Sequence, residues 1–289
     1  MTARTASCAA FSLVLLAGAA AADQTFDLRA LAGRDPAVGE RTRVVEEDAT
    51  KQTMAGQTVM EMRSSATYVD EVQEVGADGK PTRVLRTYEA FVDREGEPVD
   101  VTGVKVLLTR DEAAQRHAFA AAEGSAPLPE ALRSDLEGTT RDRSEREAKG
   151  RTEAQIFGAF LPAEPQPVGG TWTIDPARLV EALGLAPGDV DVGASKGSGK
   201  LVGLEQADGR EWVTVAVSVQ LVLARMQGQQ LPSPAPMDMK LTLRLPAAGD
   251  VPDGETHMTH HLPLELPGPQ GMVPVVIDGE RRERRTTAR

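Results

Sequence analysis

Hydrophobic and polar residues alternate along most of this chain, which is the period-2 pattern of half-buried strands. Valine and leucine occupy every second position of 213–223, and methionine and leucine do so in 237–245. A third alternating run covers 58–75. Further strands are predicted near 84–92, 101–109, 255–266 and 272–277. The pattern therefore predicts a protein built mainly of antiparallel sheet.

Turn-forming residues separate several of these runs. Asp78-Gly79 and Asp208-Gly209 are typical of tight hairpins, because both dipeptides accept the positive φ angles of such turns. Pro232, Pro234 and Pro236 predict a stiff loop.

The middle of the chain changes to helical signals. Thr109 and Glu112 form a capping box that predicts a helix over 110–123. A shorter helix is predicted at 129–136, an exposed loop at 138–153, and a helix after Asp175-Pro176 that ends at Gly184. Helices grouped between two runs of strands predict an α+β fold. We expect a mainly antiparallel, strongly curved, half-barrel-like sheet with two or three helices packed on it.

The N-terminus has the layout of a secretory signal peptide. Arg4 precedes an apolar run too short to span a bilayer, and Ala20-Ala21-Ala22 offers a cleavage site. We therefore expect a signal peptide at 1–22, a lead-in segment at 23–38, a single curved-sheet domain at 39–280 and a basic tail at 281–289.

Export and cleavage after Ala22 would remove Cys8, the only cysteine. The processed chain would then have no disulfide, thiol nucleophile or thiolate metal ligand. Ala19 stands where a lipidated cysteine would be needed. The expected product is soluble in the periplasm or outside the cell, with no membrane span.

The composition excludes some partners. A net charge of −11 disfavours nucleic acid, because phosphates are repelled. Aromatic residues make up 3% of the chain, too few for the stacking platforms that bind sugars or single-stranded nucleic acid. The arginine-rich tail at 281–285 is predicted to be a solvated, frayed terminus.

Val168-Gly169-Gly170-Thr171-Trp172 carries the one family resemblance. With the order of elements, it resembles exported bacterial proteins in which a Val-Gly-x-x-Trp turn precedes a curved antiparallel sheet. This architecture is similar to the lipoprotein-carrier (LolA/LolB-like) half-barrels, over about residues 40–280. The resemblance implies a carrier of an apolar ligand or lipid, and it identifies no ligand-binding residue.

His257, His260 and His261 form the only histidine cluster. Imidazole suits zinc or copper, and His257 and His261 share one face of a predicted strand while His260 lies on the other. His257 and His261 are therefore the candidate metal ligands, although two ligands do not close a site. No other cofactor is predicted.

Catalytic motifs are incomplete. The segment 195–200 resembles a phosphate-binding loop but has Ala194 and Leu201 where glycine and serine or threonine are required. Ser198 and Lys200 lack a nucleophile elbow, and the acidic residues at 189 and 191 lack the remaining ligands of a calcium loop. We therefore predict that the chain is not an enzyme.

Three functions stay open from the sequence. The first is a binding module that holds an apolar small molecule or lipid in the cleft of the curved sheet, where methionine and valine suit such a surface. The second is a structural or interaction protein of the cell envelope without a cleft. The third is a metal-binding protein that uses the 257–261 cluster.

Overall fold

The computed structural model describes residues 24–34, 36–151, 153–186, 188–226, 228–249, 251–268 and 271–288. The predicted signal peptide lies outside these residues. The strands are β1 Thr25–Phe26, β2 Arg41–Met54, β3 Gln57–Val75, β4 Pro81–Val92, β5 Pro98–Val99, β6 Lys105–Asp111, β7 Arg116–Ala121, β8 Gln166–Pro167, β9 Thr171–Ile174, β10 Val190–Ala207, β11 Arg210–Met226, β12 Gln229–Pro246, β13 Gly254–Gly268 and β14 Gly271–Thr287. The helices are α1 Leu28–Ala32, α2 Glu130–Ala148, α3 Glu153–Phe160 and α4 Pro176–Leu183.

Twelve strands form one antiparallel sheet in the order β7-β6-β4-β3-β2-β14-β13-β12-β11-β10-β9, with β5 beside β4. β14 pairs with β2 from Val275 opposite Met54 to Thr287 opposite Thr42, and so joins the two strand runs in the middle of the sheet. The terminal strands β7 and β9 do not pair, so the sheet is open. β1 and β8 form a separate two-stranded sheet. No helix in the described ranges has both the length and the apolar character needed to cross a membrane.

The predicted antiparallel sheet is confirmed, and the alternating runs form its longest strands. In β11 the residues from Val213 to Leu223 at odd positions are buried, and Val215 and Val217 lie opposite Leu243 and Leu241 of β12. The hairpin at Asp208-Gly209 also forms, with φ of 53° and 74° at the two residues. These angles match a two-residue turn with positive φ at both positions.

The prediction of a helix over 110–123 is wrong. Residues 110–123 form a hairpin of β6 and β7 rather than a helix, with Gln115 at φ 49° in the turn. The backbone N–H of Ala114 donates to the Asp111 side chain, which closes this turn. Pairing of β6 with β4 extends the sheet, and this tertiary pairing overrides the helical preference of the alanines.

The charged stretch at 138–153 is not a loop up to residue 148, because α2 continues through it. Buried Leu132 and Leu136 anchor the first half of the helix, while Ser144 Oγ accepts from the backbone N–H of His117 in β7. Arginine and glutamate are good helix formers, so the solvent side of α2 can be almost entirely charged. The four helices of the described chain exceed the two or three expected.

The proline-rich segment is a strand instead of a loop. Pro232, Pro234 and Pro236 lie in β12, where pairing with β13 begins only at Asp238. One side of this part of β12 is therefore an edge, where the missing N–H groups of proline remove no ladder bond. The prediction of a frayed basic tail is also wrong over 281–287, because these residues belong to β14 and pair with both β13 and β2.

Two hydrophobic clusters lie on the same face of the sheet. One joins β10–β14 to α1, α3 and α4, and includes Leu28 from the segment predicted as a lead-in. The other joins β2, β3, β4 and β6 to α2. Val44 of the second cluster lies opposite Arg285, and opposite residues point to the same face of a sheet. Arg285 and Val275 are ten residues apart in β14 with no bulge between them, so they also share a face. Val44 and Val275 of the first cluster therefore lie on one face. Helices therefore cover both halves of this face and leave the opposite face to solvent.

Candidate functional site: a cleft between the two helical covers

A cleft of about 470 Å³ lies where the two clusters meet, between α2 on one side and α1 with α3 on the other. This volume is within the range of about 300–1,000 Å³ that is usual for small-molecule sites. Arg151, which follows α2 in the chain, also lines the cleft.

Apolar side chains from eight elements line the cleft. Those of the sheet are Val44, Val72, Val84, Leu108, Leu243 and Leu245, and those of the helices are Leu31, Leu136, Ile156 and Phe157. Eight of these ten side chains belong to the hydrophobic clusters, five to the first and three to the second. The lining therefore continues the apolar core up to the open space, which is what a site for an apolar chain requires.

A buried ion pair lies in the sheet beneath this space. Arg86 is 8% exposed and donates from Nε and Nη2 to the two carboxylate oxygens of Asp70, both at 2.8 Å. Its guanidinium carbon lies 3.5 Å from the ring centre of Tyr68, whose hydroxyl donates to Glu46 at 2.7 Å. Burial opposes the charge on Arg86, but the Asp70 carboxylate together with Tyr68 and Tyr88 outweighs it and holds the pKa of Arg86 well above its usual range. Burial raises the pKa of Tyr68, so this hydroxyl stays a donor.

A second charged network ties α2 to the sheet. Arg110 donates from Nε to Glu147 at 2.8 Å and from Nη2 to Asp78 at 2.7 Å. His117 Nε2 lies 2.7 Å from the other oxygen of Glu147. The hydrogen bonds from Arg110 lower the pKa of Asp78 to about 2 and also lower the pKa of Glu147. This network fixes the C-terminal turn of α2 beside the cleft.

The opposite side of the cleft is fixed by Arg29 and Trp172. Arg29 donates to the carbonyl oxygens of Gly158 and Leu161 at the C-terminal end of α3. Trp172 Nε1 donates to the carbonyl of Phe160 at 2.9 Å, and its ring packs on Gly199 of β10. The Val-Gly-x-x-Trp turn thus holds α3 against the sheet.

Trp212 lies on the other face of the sheet, away from the valine stripe of β11. It is 6% exposed, its Nε1 donates to the carbonyl of Ala207, and the guanidinium of Arg244 covers its ring at 4.5 Å. Neither tryptophan is among the side chains that line the cleft.

The candidate metal ligands also lie on the solvent face. His257 Nε2 is 2.8 Å from a Glu280 oxygen, and His261 Nδ1 is 2.7 Å from an Asp278 oxygen, so each imidazole has its own carboxylate. His260 is on the helix-covered face and packs on Gly279, as the alternation requires. Within the described ranges no three His, Cys, Asp or Glu side chains group as a metal site. Metal binding by His257 and His261 stays a prediction.

The charged residues of the cleft were not predicted from the sequence. Arg86 shares the inward face of β4 with Val84 and Tyr88, and an arginine within an apolar stripe is a signal of a buried ion pair. Arg143 and Arg146 fell in the stretch predicted as a loop, so their position on a helix beside the cleft had no sequence signal.

Comparison with known proteins adds little. No family model matches this chain, and no curated protein does. Among solved structures, the chain is similar to a chain of one described as "The complex structure of Pseudomonas aeruginosa MucA/MucB". The two share 11% identity, covering 87% of this chain and 91% of the other, with a TM-score of 0.20. A likeness at this level supports no statement about fold or function.

Proposed function

We propose that this chain is a non-enzymatic binding protein that holds the apolar chain of an amphiphile in the cleft between α2 and α3. The observation that carries the proposal is the position of the cleft, where aliphatic side chains of both hydrophobic clusters line one open space. Burying an alkyl chain there would contribute about 0.8 kcal/mol per methylene group.

The proposal includes a sheet that curves around its helices in the manner of a half-barrel. Register shifts interrupt the pairing of β3 with β4 at three places and the pairing of β10 with β11 at two, so both halves of the sheet contain them. Bulges of this kind bend a strand and increase its twist. Curvature toward the helices would deepen the cleft. The proposal also retains export, with the protein acting in the periplasm or outside the cell.

The test is binding of dodecanol, an uncharged amphiphile, measured by displacement of a hydrophobic dye and by native mass spectrometry without detergent. Thr139 of α2 lines the cleft and is half-buried, so Thr139→Trp should fill the space and weaken dodecanol binding at least tenfold. Arg141→Trp is the matched control, because the Arg141 side chain on the same helix is 70% exposed.

Equal dodecanol binding by the two tryptophan variants would refute the cleft as the binding site. Absence of any binding by the unmodified chain would refute the function. A far-ultraviolet circular dichroism spectrum of each variant verifies that both retain the fold.

A structural or interaction role in the envelope has one observation in its favour. Met54 and Met272 are 41% and 47% exposed, near the ends of two neighbouring hairpins. Exposed apolar side chains of this size are found at contact surfaces. Sedimentation of the chain alone and of a Met54→Ser, Met272→Ser variant tests this role. It predicts self-association that the substitutions abolish, and a monomer at all concentrations would contradict self-association through these hairpins.

A further inference from the structure

Three arginines beside the cleft have no carboxylate partner among the residues that the structure describes. Arg143 and Arg146 belong to the last turns of α2, and Arg151 follows in the connection to α3. Arg146 Nε donates to the backbone carbonyl of Asp142, which leaves its terminal nitrogens available. The Arg151 guanidinium lies against Gly184 at the end of α4. Arg143 is half-buried and lies close enough to His117 to help lower the pKa of that histidine, which burial lowers most.

Four other arginines of the cleft each form an ion pair with a carboxylate. Their ion pairs are Arg34 with Glu40, Arg86 with Asp70, Arg110 with Glu147, and Arg285 with Glu283. The pattern is informative because the whole chain carries a net charge of −11, so acidic partners are plentiful. Among the described residues, positive charge is therefore unpaired on the side of the cleft formed by α2 and Arg151.

Unpaired guanidinium groups that share one cleft repel one another, and none gains a hydrogen bond to a carboxylate in return. A ligand with an anionic group would relieve this repulsion and accept charge-assisted hydrogen bonds. We propose that the ligand of the cleft carries a carboxylate or phosphate head, which Arg143, Arg146 and Arg151 bind while the apolar chain lies along the aliphatic lining. This inference rests on the proposed function and adds the chemical class of the ligand.

The experiment compares dodecanoate, dodecyl phosphate and dodecanol by calorimetry, with the two anionic amphiphiles below their micelle concentrations and dodecanol below its solubility limit. The variant Arg143→Gln, Arg146→Gln, Arg151→Gln should weaken dodecanoate and dodecyl phosphate binding at least tenfold, because it removes the charge-assisted hydrogen bonds to the anionic head. Dodecanol binding should change less than twofold. The matched control is Arg133→Gln, Arg141→Gln, which removes the side chains of α2 that are 49% and 70% exposed.

Salt provides a second readout that a purely structural role would not change. Affinity for dodecanoate should fall between 0.05 and 0.5 M salt, on the order of severalfold, while affinity for dodecanol stays constant or rises. Because Arg151 contacts Gly184, its substitution can destabilise the fold. If the triple variant loses thermal stability, the double variant Arg143→Gln, Arg146→Gln replaces it in the binding measurements.

The outcomes separate the two proposals. Dodecanol binding with no preference for the anionic amphiphiles would overturn this inference and leave the proposed function standing. Loss of affinity in the control variant equal to that in the triple variant would also overturn it. Inorganic phosphate that displaces dodecyl phosphate at equal concentration would assign the site to free phosphate and overturn the amphiphile. No binding of any of the three would refute the proposed function itself.

Discussion

Replacing Arg86 with methionine tests whether the sheet beneath the cleft depends on its buried ion pair. Methionine is also unbranched but carries no charge. The substitution therefore removes the two hydrogen bonds of 2.8 Å to Asp70 and the contact of the guanidinium with the Tyr68 ring. Breaking a buried pair by removing one partner costs about 3–5 kcal/mol, because the other charge stays uncompensated. The Asp70 side chain is 22% exposed, so water reaches it and we expect a loss of about 3 kcal/mol.

The assay is urea unfolding followed by tryptophan fluorescence. Arg83→Met is the matched control on β4, because the Arg83 and Glu74 side chains are 45% and 60% exposed and such a pair contributes about 0–1 kcal/mol. The double variant Arg86→Met, Asp70→Leu should recover at least half of the loss, since it leaves no charge unpaired. A loss below about 1 kcal/mol for Arg86→Met, or no recovery in the double variant, would refute the reasoning.

Two further predictions concern single contacts. Gly199→Ala places a Cβ against the Trp172 ring, so the ring must move. We expect a changed near-ultraviolet circular dichroism spectrum and a loss of about 1–3 kcal/mol in the free energy of unfolding. Gly203→Ala in the same strand meets no atom within 4 Å and should change neither quantity. Equal effects of the two alanines would contradict the contact. Asp78→Asn should lower the free energy of unfolding at pH 7. The pKa of Asp78 is about 2 in the folded chain against its ordinary 3.8. The stabilisation from the Asp78 carboxylate is therefore full above pH 3.8 and disappears as pH falls through about 2. Urea unfolding from pH 7 to 2 measures it, and a difference from the unmodified chain that stays constant over this range would contradict it.

The strands and α4 were predictable because their signals are local. Alternation over many residues fixes which side chains of β11 and β12 enter the core. Asp175 accepts from the backbone N–H of Ala177 at 2.9 Å, and Gly184 ends α4 at φ 73°, both as the capping signals require. For these elements local preference and tertiary structure agree.

The remaining features depend on contacts between distant segments. The alanines of 110–123 favour a helix locally, but β6 gains its pairing with β4 only as a strand. Charged residues at 138–148 form a helix because leucines earlier in α2 anchor it to a cluster formed by β2–β6. The cleft arises where two separate cores meet, so no single stretch of sequence contains a signal for it.

The central claim is that the space between α2 and α3 is open and receives an alkyl chain. A crystal structure with a dodecanoate brominated near its methyl end tests this directly, because anomalous scattering locates the bromine without reference to a model of the protein. If the cleft holds the alkyl chain, one strong bromine peak lies between Val44 and Leu243, with the carboxylate toward Arg143. A space filled by the protein's own side chains, or a bromine peak on the solvent face of the sheet, would contradict it.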